Sequence, residues 1–546
     1  MTGRIRVAVV GGGPTGLGAA ILLRQADVEV SLFEQHPTTC TLPQAHQING
    51  RSGEILRQMG VYEELDAAAP PDEKTRHIMW VESLAGDQFG GIEWGAWNPA
   101  LSPCRALNIG QDVVERVLAA RLATLGVGGG FGHRVTAVAP TEDGAQVTAE
   151  RPDGTMLTDD FDYVLACDGA ASGVRRSLGV EMLGPPSLAK FVTTYFRAPL
   201  FPYLADRPGP LRIVAAPGVW GSLIGYDMNS SWAFMCAIPD GVQACEYTDE
   251  VMREFIARAV GDPEVTVEIT ATTTWNMSAQ VAARFQCGHV FLLGDAAHRF
   301  PPTGGLGLNT GLQDAHNIAW KLALIDRGLA TVALLASYES ERRPVAQRNC
   351  DQSVANAMAM AGIDQVLGAS ALAPLPPSIA QTPVDTEGDD RARPDAQAAF
   401  DALRGGIDFA SIDFGYTYGQ VAEGEDGSFA PSVRVGGLLP AITLTDGTTL
   451  LDAYDKAVPT LFVRDLDEQR RARAHEFAQS VGLPLHEEVL DPFDDGVAAA
   501  WHDAMGGDVA GVLVRPDGHA AWMSTEDDAA LRRALESLAG VTPAAA

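Results

Sequence analysis

Three times in this chain glycine and a carboxylate close apolar runs, twice as direct neighbours and once as a glycine turn with its acid at the end of the next run. Gly11-Gly12-Gly13-Pro14-Thr15-Gly16 fits G-x-G-x-x-G and is followed by the acid Glu34 with Gln35 beside it. Asp168-Gly169 closes the run Phe161–Cys167. Gly294-Asp295 opens a glycine-rich stretch that continues through Pro301, Pro302, Gly305, Leu306, Gly307, Leu308 and Asn309. Glycines let backbone N–H groups approach anionic oxygen, and carboxylates accept hydrogen bonds from hydroxyls. Together they suit a ligand made of phosphates and polyols, which is a dinucleotide. In the first stretch Gly11 permits a tight turn, Gly13 admits a diphosphate to the backbone, and Gly16 lets the following helix pack on the sheet, with its N-terminus toward the phosphates. Glu34 lies 18 residues beyond Gly16, where a carboxylate reaches ribose hydroxyls. This unit alone does not separate NAD from FAD.

These residues need strands and helices to hold them. Ile5–Val10 reads as a buried parallel strand, Leu17, Ala20, Ile21 and Arg24 have helical spacing, and Val28–Phe33 is a second strand. Arg51–Gly60 reads as a helix stopped by Gly60, and residues 70–105 as irregular. Asp112-Val113-Val114-Glu115 has capping-box spacing, opening a helix to about Leu125 with Gln111 just before the cap and facing a ligand. Residues 181–282 change to short apolar and aromatic strands, expected as an inserted antiparallel sheet. One face of that sheet against the nucleotide domain makes an apolar cleft, with Trp220, Tyr226, Trp232 and Trp275 as candidate substrate walls. Leu312–Leu324 and Leu334–Cys350 read as helices, Ala371–Pro394 as a proline-rich linker, and a smaller α/β unit begins near Ser428. The expected fold class is α/β: a Rossmann-type nucleotide-binding domain in two parts, 1–180 and 283–370, a β-sheet substrate domain at 181–282, a linker at 371–427 and a C-terminal domain at 428–546.

Composition narrows the function. With 39 basic and 70 acidic residues the net charge is −31, a surface that repels nucleic acid and anionic membranes. No apolar run approaches a spanning length, and the apolar stretch after Arg4 and Arg6 breaks on glycines too early for a signal peptide. The expectation is a cytoplasmic protein. Seven widely spaced cysteines without C-x-x-C argue against disulfides, a zinc site or a dithiol centre, and no H-E-x-x-H occurs. No metal site is expected.

Taken together, Gly11–Gly16 with Glu34, Asp168-Gly169, and Gly294-Asp295 followed by Pro301–Asn309 closely resemble the single-component FAD-dependent aromatic hydroxylases of the para-hydroxybenzoate and phenol hydroxylase family. The resemblance covers about residues 1–350. The tail, through Val512–Gly518 and Trp522, resembles the thioredoxin-like C-terminal domain of phenol and polyketide-tailoring hydroxylases, here without C-x-x-C. The resemblance implies FAD and NADPH or NADH as cofactors. It implies that Glu34 binds the adenosine ribose, Gln111 the flavin's linker and Asp295 the ribityl or diphosphate portion. Gly305 to Asn309 line the isoalloxazine, and Asp168-Gly169 serves both FAD and the pyridine nucleotide. Relatives often carry Arg or Lys before the residue matching Ala45. Here Gln44 stands against the flavin and cannot steady an anionic reduced ring by charge.

The implied activity is NAD(P)H-dependent hydroxylation of a phenolic or polycyclic aromatic compound through a flavin C4a-hydroperoxide. Baeyer–Villiger insertion or epoxidation in polyketide tailoring is one alternative, and a non-catalytic flavin-binding redox protein another. A flavin halogenase is set aside because Trp94-Gly95-Ala96-Trp97 does not fit its motif. At the reacting centre we place His46, a candidate base on the loop near the flavin, and Pro302; His298 is read as ordering its own loop. The expected partners are a small aromatic substrate and molecular oxygen, with no nucleic acid and no membrane, and a homodimer left open.

Overall fold

Val7, Ala8 and Val9 are fully buried because Arg6–Val10 runs through the middle of a six-stranded sheet. The strand order is Gln286–Cys287, Val290–Leu292, Tyr163–Ala166, Arg6–Val10, Glu29–Glu34, Gly128–Phe131. All neighbours are parallel except the first pair, which explains the unbroken apolar runs of strands covered on both faces. In register, Val10 lies beside Phe33 and Ala166, and Ala166 beside Leu292. The residues that follow are Gly11, Glu34, Cys167-Asp168 and Leu293-Gly294-Asp295. The three carboxylate–glycine stretches therefore leave one edge of one sheet, the carboxyl edge where open α/β sheets bind ligands. The computed structural model describes residues 4–367 apart from 94–96, 205–208 and 217, then 400–401, 409–418 and 433–541 apart from 492–493 and 506. Trp94, Gly95 and Ala96 and most of the expected linker lie outside the described residues.

Two helices lie together behind that edge. Pro14–Gln25 packs on Leu306–Asp326 because both are small where they meet. A Cβ at Gly18 would stand 3.0 Å from Leu312 Cδ2, and one at Gly311 would overlap Thr15 Oγ1. The second helix begins at Leu306, six residues before the start expected at Leu312. The glycines at 304, 305 and 307 hide its first turn from propensity, and Gly305 enters it in a left-handed conformation (φ 65°). The expected capping box at Asp112 is also different. The helix Gln111–Ala123 is capped two residues earlier, by Gly110, with no side-chain cap. Glu115 turns away and accepts from Gln111 Nε2 (2.8 Å) and the Cys40 N–H (2.7 Å).

The second sheet has seven strands in the order Glu268–Met277, Ala189–Arg197, Ser231–Ala237, Val219–Gly225, Leu211–Ala216, His77–Val81, Gln88–Glu93. The last two come from the stretch 70–105 expected to be irregular. Gly90 and Gly91 blur their alternation, yet a Cβ at Gly91 would sit 2.7 Å from Ile78 O, so the close approach needs glycine there. One face, with Val192, Phe196, Val219, Leu223, Trp232 and Phe234, is covered by the helix Asp249–Val260 through Phe255 and Ile256. The other face carries Tyr195, Ile224, Tyr226 and Ala233 and meets Leu42 of the first domain.

The tail has a four-stranded sheet, His486–Val489, Thr460–Val463, Gly511–Val514, Ala520–Met523, with one parallel and two antiparallel pairings and helices at Glu468–Ser480, Asp495–Met505 and Asp528–Leu538. This is a thioredoxin-like arrangement. Its turn Arg515–His519 docks into the first domain through buried charge. Arg515 grips both Glu341 oxygens (2.7 and 2.9 Å), Lys321 Nζ donates to the same carboxylate (2.8 Å), and Arg515 also pairs with Asp517 (2.6 Å). Asp517 accepts from Trp320 Nε1 (3.2 Å) on Oδ2 and from Arg51 Nη2 (2.8 Å) on its backbone carbonyl.

Burial alone would raise the Glu341 pKa, but Arg515 and Lys321 outweigh it and hold it down to about 2. A depressed carboxylate gives stability that is present above its unfolded value of about 4.3 and is lost as pH falls toward 2. Glu341→Gln leaves two buried cations short of a partner and should cost about 3–5 kcal/mol. Thermal unfolding at pH 7 should show the loss, and the gap between variant and wild type should narrow as pH falls from 4.5 toward 2. An unchanged midpoint at pH 7 contradicts this reading of the interface.

Candidate functional site

The first glycine loop is shaped by what surrounds it. Gly11 has φ 110° and its N–H bonds to Phe33 O at 2.8 Å; a Cβ there would overlap the Cys167 carbonyl. A Cβ on Gly16 would overlap the carbonyl of Gly11, so this glycine closes the turn onto its helix. Gly13 is different. It has ordinary extended angles (φ −75°, ψ −179°) and a Cβ on it would meet nothing within 4 Å. The space over Gly13 is open, directly at the N-terminus of Pro14–Gln25, where no side chain caps the first turn. Pro14 takes the position that needs no N–H. Glu34 accepts from the N–H groups of Gly12 (2.6 Å) and His36 (2.7 Å), one on each oxygen. Glu34 is half-buried, and Gln35 follows it as an exposed residue.

Asp168 is already engaged. Ser172 Oγ (2.5 Å) and the Val174 N–H (3.0 Å) donate to its two oxygens, so it pins the turn into the short helix Gly173–Ser177. Asp295 accepts no hydrogen bond among the described residues. It is exposed to solvent. Desolvation raises its carboxyl pKa, with His298 and Arg299 pulling the other way. His298 is fully buried, donates from Nε2 to Asp314 (2.7 Å), and stacks on Phe300 at 4.8 Å between ring centres. It holds the loop, as the sequence suggests.

The edge at Gly304–Asn309 is the start of a helix rather than a loop. The backbone N–H groups of Leu306, Gly307 and Leu308 form its free first turn. Gly307 has open space where a Cβ would be. Asn309 points backward instead, donating to Gln47 O (3.0 Å) and Gly305 O (2.6 Å) and accepting from the Asn49 N–H (3.0 Å). Gly305 has no room for a Cβ, which would lie 2.5 Å from Gln47 Oε1. Pro302 is exposed, and its carbonyl accepts from the Gly305 N–H at 3.0 Å. It has no proton to give or take, so its contribution at this site is a wall and a turn.

The loop 40–49 thus reaches two ways. At Gln47 and Asn49 it abuts the helix start, and at Leu42 it packs on the sheet face of Tyr195, Ile224, Tyr226 and Ala233. Gln44 is exposed; its Nε2 lies 3.6 Å from Cys40 Sγ, and its carbonyl accepts from Tyr226 OH at 3.2 Å. Gln111 closes the end of this loop, its N–H bonding to Ala45 O at 2.8 Å. His46 lies edge-on to Tyr226 with ring centres 5.7 Å apart, and its Nδ1 is 2.6 Å from Asn108 Oδ1.

The four aromatic walls expected from the strands divide. Tyr226 is on the face that meets the loop. Trp275 alternates in phase with Ala271, which packs in the same cluster; its N–H donates to Thr193 Oγ1 (3.0 Å) and it stacks on Phe191. Trp220 packs instead with Ile78, Trp80 and Ile363, and both Trp80 and Trp220 donate to Asp364 of the helix Ala336–Val366. Trp232 is not a wall. It is 1% exposed on the opposite face, under the helix Asp249–Val260, and its N–H is taken by Ala198 O at 3.1 Å. Strand period explains the correction: Ala233 points to the cleft, so Trp232 points away from it. Tyr195 was the residue missed. It sits in phase with Thr193, and its alternation against Phe196 is readable once the strand's inner face is known. Asn108 was missed too, although a polar residue between Leu107 and Ile109 marks a buried hydrogen-bonding position.

A family model for the FAD binding domain matches residues 4–353, and one for the aromatic-ring hydroxylase C-terminal domain matches residues 432–542. The chain is 32% identical to the 4-methyl-5-nitrocatechol 5-monooxygenase of a Burkholderia species, over 98% of this chain and 97% of that protein. It is 36% identical to the tetracenomycin B2 monooxygenase-dioxygenase of Streptomyces olivaceus, over 64% of this chain and 68% of that one. Its structure is similar to the flavin-dependent monooxygenase PieE in complex with FAD and substrate, with a TM-score of 0.88 and 29% identity, covering 98% of this chain and 99% of PieE.

Two variants separate ligand contacts from scaffold. Gly13→Ala puts a methyl group into the open space at the helix start, so the apo fold should keep its melting temperature while FAD affinity falls at least tenfold. Asp295→Ala removes a carboxylate that has no hydrogen-bond donor among the described residues, at about 1–3 kcal/mol of FAD binding and little change in apo stability. Calorimetric titration of apoprotein with FAD, beside thermal melts, checks both. Gly13→Ala protein that binds FAD as wild type does contradicts the placement of the diphosphate.

Proposed function

Because this chain belongs to the FAD-dependent aromatic-ring hydroxylases, carrying both their FAD binding domain and their C-terminal domain, we propose that it oxidises NADPH or NADH and inserts one atom of molecular oxygen into a phenolic or polycyclic aromatic substrate, the other atom leaving as water. The observation that carries this reading is the loop 40–49. It joins an aromatic and apolar sheet face to the free helix start at Leu306, so a ring held on that face lies beside a flavin held at that edge.

Bound FAD supplies the redox chemistry, taking electrons from the nicotinamide and activating oxygen at its C4a position. The residues of this chain bind, orient and exclude water. Gly13 and the N-terminus of Pro14–Gln25 take the diphosphate, and Glu34 takes the adenosine ribose with its orientation fixed by Gly12 and His36. Asp295 accepts from flavin hydroxyls. The N–H groups of Leu306, Gly307 and Leu308 favour negative charge on the reduced ring. Leu42, Tyr195, Ile224 and Tyr226 keep the reacting space apolar. Asp168 positions the turn through Ser172 and Val174, and Gln111 holds the loop end beside the flavin's linker.

The defining measurement uses holoenzyme, NADPH and labelled dioxygen with a panel of phenols and naphthols. One labelled oxygen atom should appear on a product that keeps its aromatic ring. A ring-expanded lactone or an epoxide places the chain with the alternative oxygen insertions, and NADPH oxidation unaffected by every ring compound removes the substrate assignment.

Gln44 gives a second test. A unit charge about 4 Å from another is worth about 4 kcal/mol at an effective dielectric of about 20, and solvent around the exposed Gln44 reduces that. A residual of about 1.4 kcal/mol is still tenfold in rate. Gln44→Arg should change flavin reduction by NAD(P)H, followed by stopped flow, more than it changes substrate affinity. Unchanged reduction with collapsed substrate affinity makes Gln44 a pocket residue instead.

A further inference from the structure

The side chain of Asn108 has two backbone carbonyls against one end. Its Nδ2 lies 2.9 Å from Gly225 O and 3.2 Å from Tyr226 O. Only the NH2 end of an amide can serve two carbonyl acceptors, so the orientation of Asn108 is forced and its oxygen faces His46. That oxygen can only accept. The His46 Nδ1, 2.6 Å away, must therefore carry the hydrogen. In neutral imidazole the other nitrogen, Nε2, then bears the lone pair. His46 Nε2 has no partner among the described residues and is not sealed from solvent. The carbonyls that fix Asn108 belong to the end of the strand Val219–Gly225, where the cleft face meets the loop 40–49, so the whole device stands at the junction of sheet and nucleotide edge.

We propose that Asn108 and His46 form a tautomer-locked hydrogen-bond acceptor for the substrate, with His46 Nε2 receiving the hydrogen of a ring hydroxyl and Asn108 acting as its positioning residue. The proposal deepens the aromatic hydroxylase reading and rests on it for the identity of the ligand: a ring bearing a free hydroxyl, in preference to the same ring blocked as an ether. Desolvation lowers the pKa of His46, against the opposing pull of Asn108. The imidazole is thus neutral at pH 7, and it is a much weaker base than a phenolate, whose reference pKa is about 10. The mismatch decides between two roles. Complete transfer of the phenol proton to His46 is uphill by at least three pH units' worth of free energy, roughly a thousandfold in population. The role that fits is a polarising hydrogen bond that orients the hydroxyl and enriches the ring in electrons, with the proton remaining shared.

Two measurements test this, and they fail separately from the hydroxylase assignment. The first needs no turnover. In FAD-loaded protein with nitrogen-labelled histidine, the His46 resonances, assigned by their loss in His46→Gln, should show Nδ1 protonated and Nε2 bare across neutral pH. In Asn108→Ala the lock is gone and both tautomers should appear. In Asn108→Asp the carboxylate should raise the His46 titration midpoint toward neutrality. A wild-type His46 protonated on Nε2, or an Asn108→Ala spectrum like wild type, overturns the lock. The second uses 1-naphthol and 1-methoxynaphthalene as probes, read by the perturbation of bound FAD absorbance. The naphthol should bind about fivefold to tenfold more tightly, as one net hydrogen bond gives, and His46→Leu should reduce that ratio to near one. Equal binding of the two probes, no binding of 1-naphthol, or a ratio that survives His46→Leu overturns the acceptor role. A merely structural Asn108 would instead lower FAD content and leave the ratio unchanged in the loaded fraction.

Discussion

The arrangement depends on one carboxylate that never meets solvent. Asp314, 0% exposed, accepts from the Gly294 N–H (3.2 Å), from His298 Nε2 (2.7 Å) and from Arg342 Nε (2.8 Å). Burial pushes its pKa up, and Arg342 and His298 more than reverse the push. A buried charge of this kind is tolerable only while every partner stays in place. Its partners are the two sides of the Gly294–Asp295 turn and the helix Ala336–Val366. The backbone that carries Asp295 is therefore fixed from behind by an ion pair, while Asp295 itself stays exposed. Arg342 passes the constraint on, since its Nη1 meets Tyr418 OH (3.2 Å) and Tyr418 stacks on His519 of the docking turn. The tail and the nucleotide loop share one polar cluster.

The inserted sheet solves a different problem. It is apolar on both faces, one covered by the helix Asp249–Val260 and the other meeting Leu42 of the first domain. Strand alternation sorts the large residues between them without any change in composition, so Trp232 and Phe234 go to the core and Tyr195, Tyr226 and Trp275 go to the cleft. The polar tips in the cleft are bonded to protein at Tyr226 and Trp275.

Much of the fold was legible because its signals are local. The first unit, from Arg6 to Glu34, is a strand, a glycine turn, a helix and a strand in sequence, and each piece obeys its own period. The helix Gly50–Met59 ends at Gly60 with φ 76°, as a terminal glycine announces. What escaped was held by distant partners. The strands at 77–81 and 88–93 exist because the inserted sheet offers them an edge, and glycine weakens their own signal. The helix start at Leu306 is fixed by Asn309 reaching to Gln47, a contact across more than two hundred residues. Glu115 satisfies cap spacing on paper but is drawn to Cys40 and Gln111. Which face each tryptophan takes depends on a register that no single strand reveals, and Asn108 acquires its meaning only from two carbonyls on another strand.

The helix Ala336–Val366 behaves as a pointer. Near its base Glu341 and Arg342 are clamped to the tail and to Asp314, and near its tip Asp364 holds Trp80 and Trp220 of the sheet. Between residues 342 and 364 an α-helix extends about 33 Å, so a tilt of about 2° at the base carries the tip by about 1 Å. Pro344 lies just beyond the clamp, where its missing N–H removes a backbone bond and makes bending easiest. The position of the sheet strands carrying Trp80 and Trp220 is thereby read out as an angle. It is set far from the cleft, by how squarely the tail is seated.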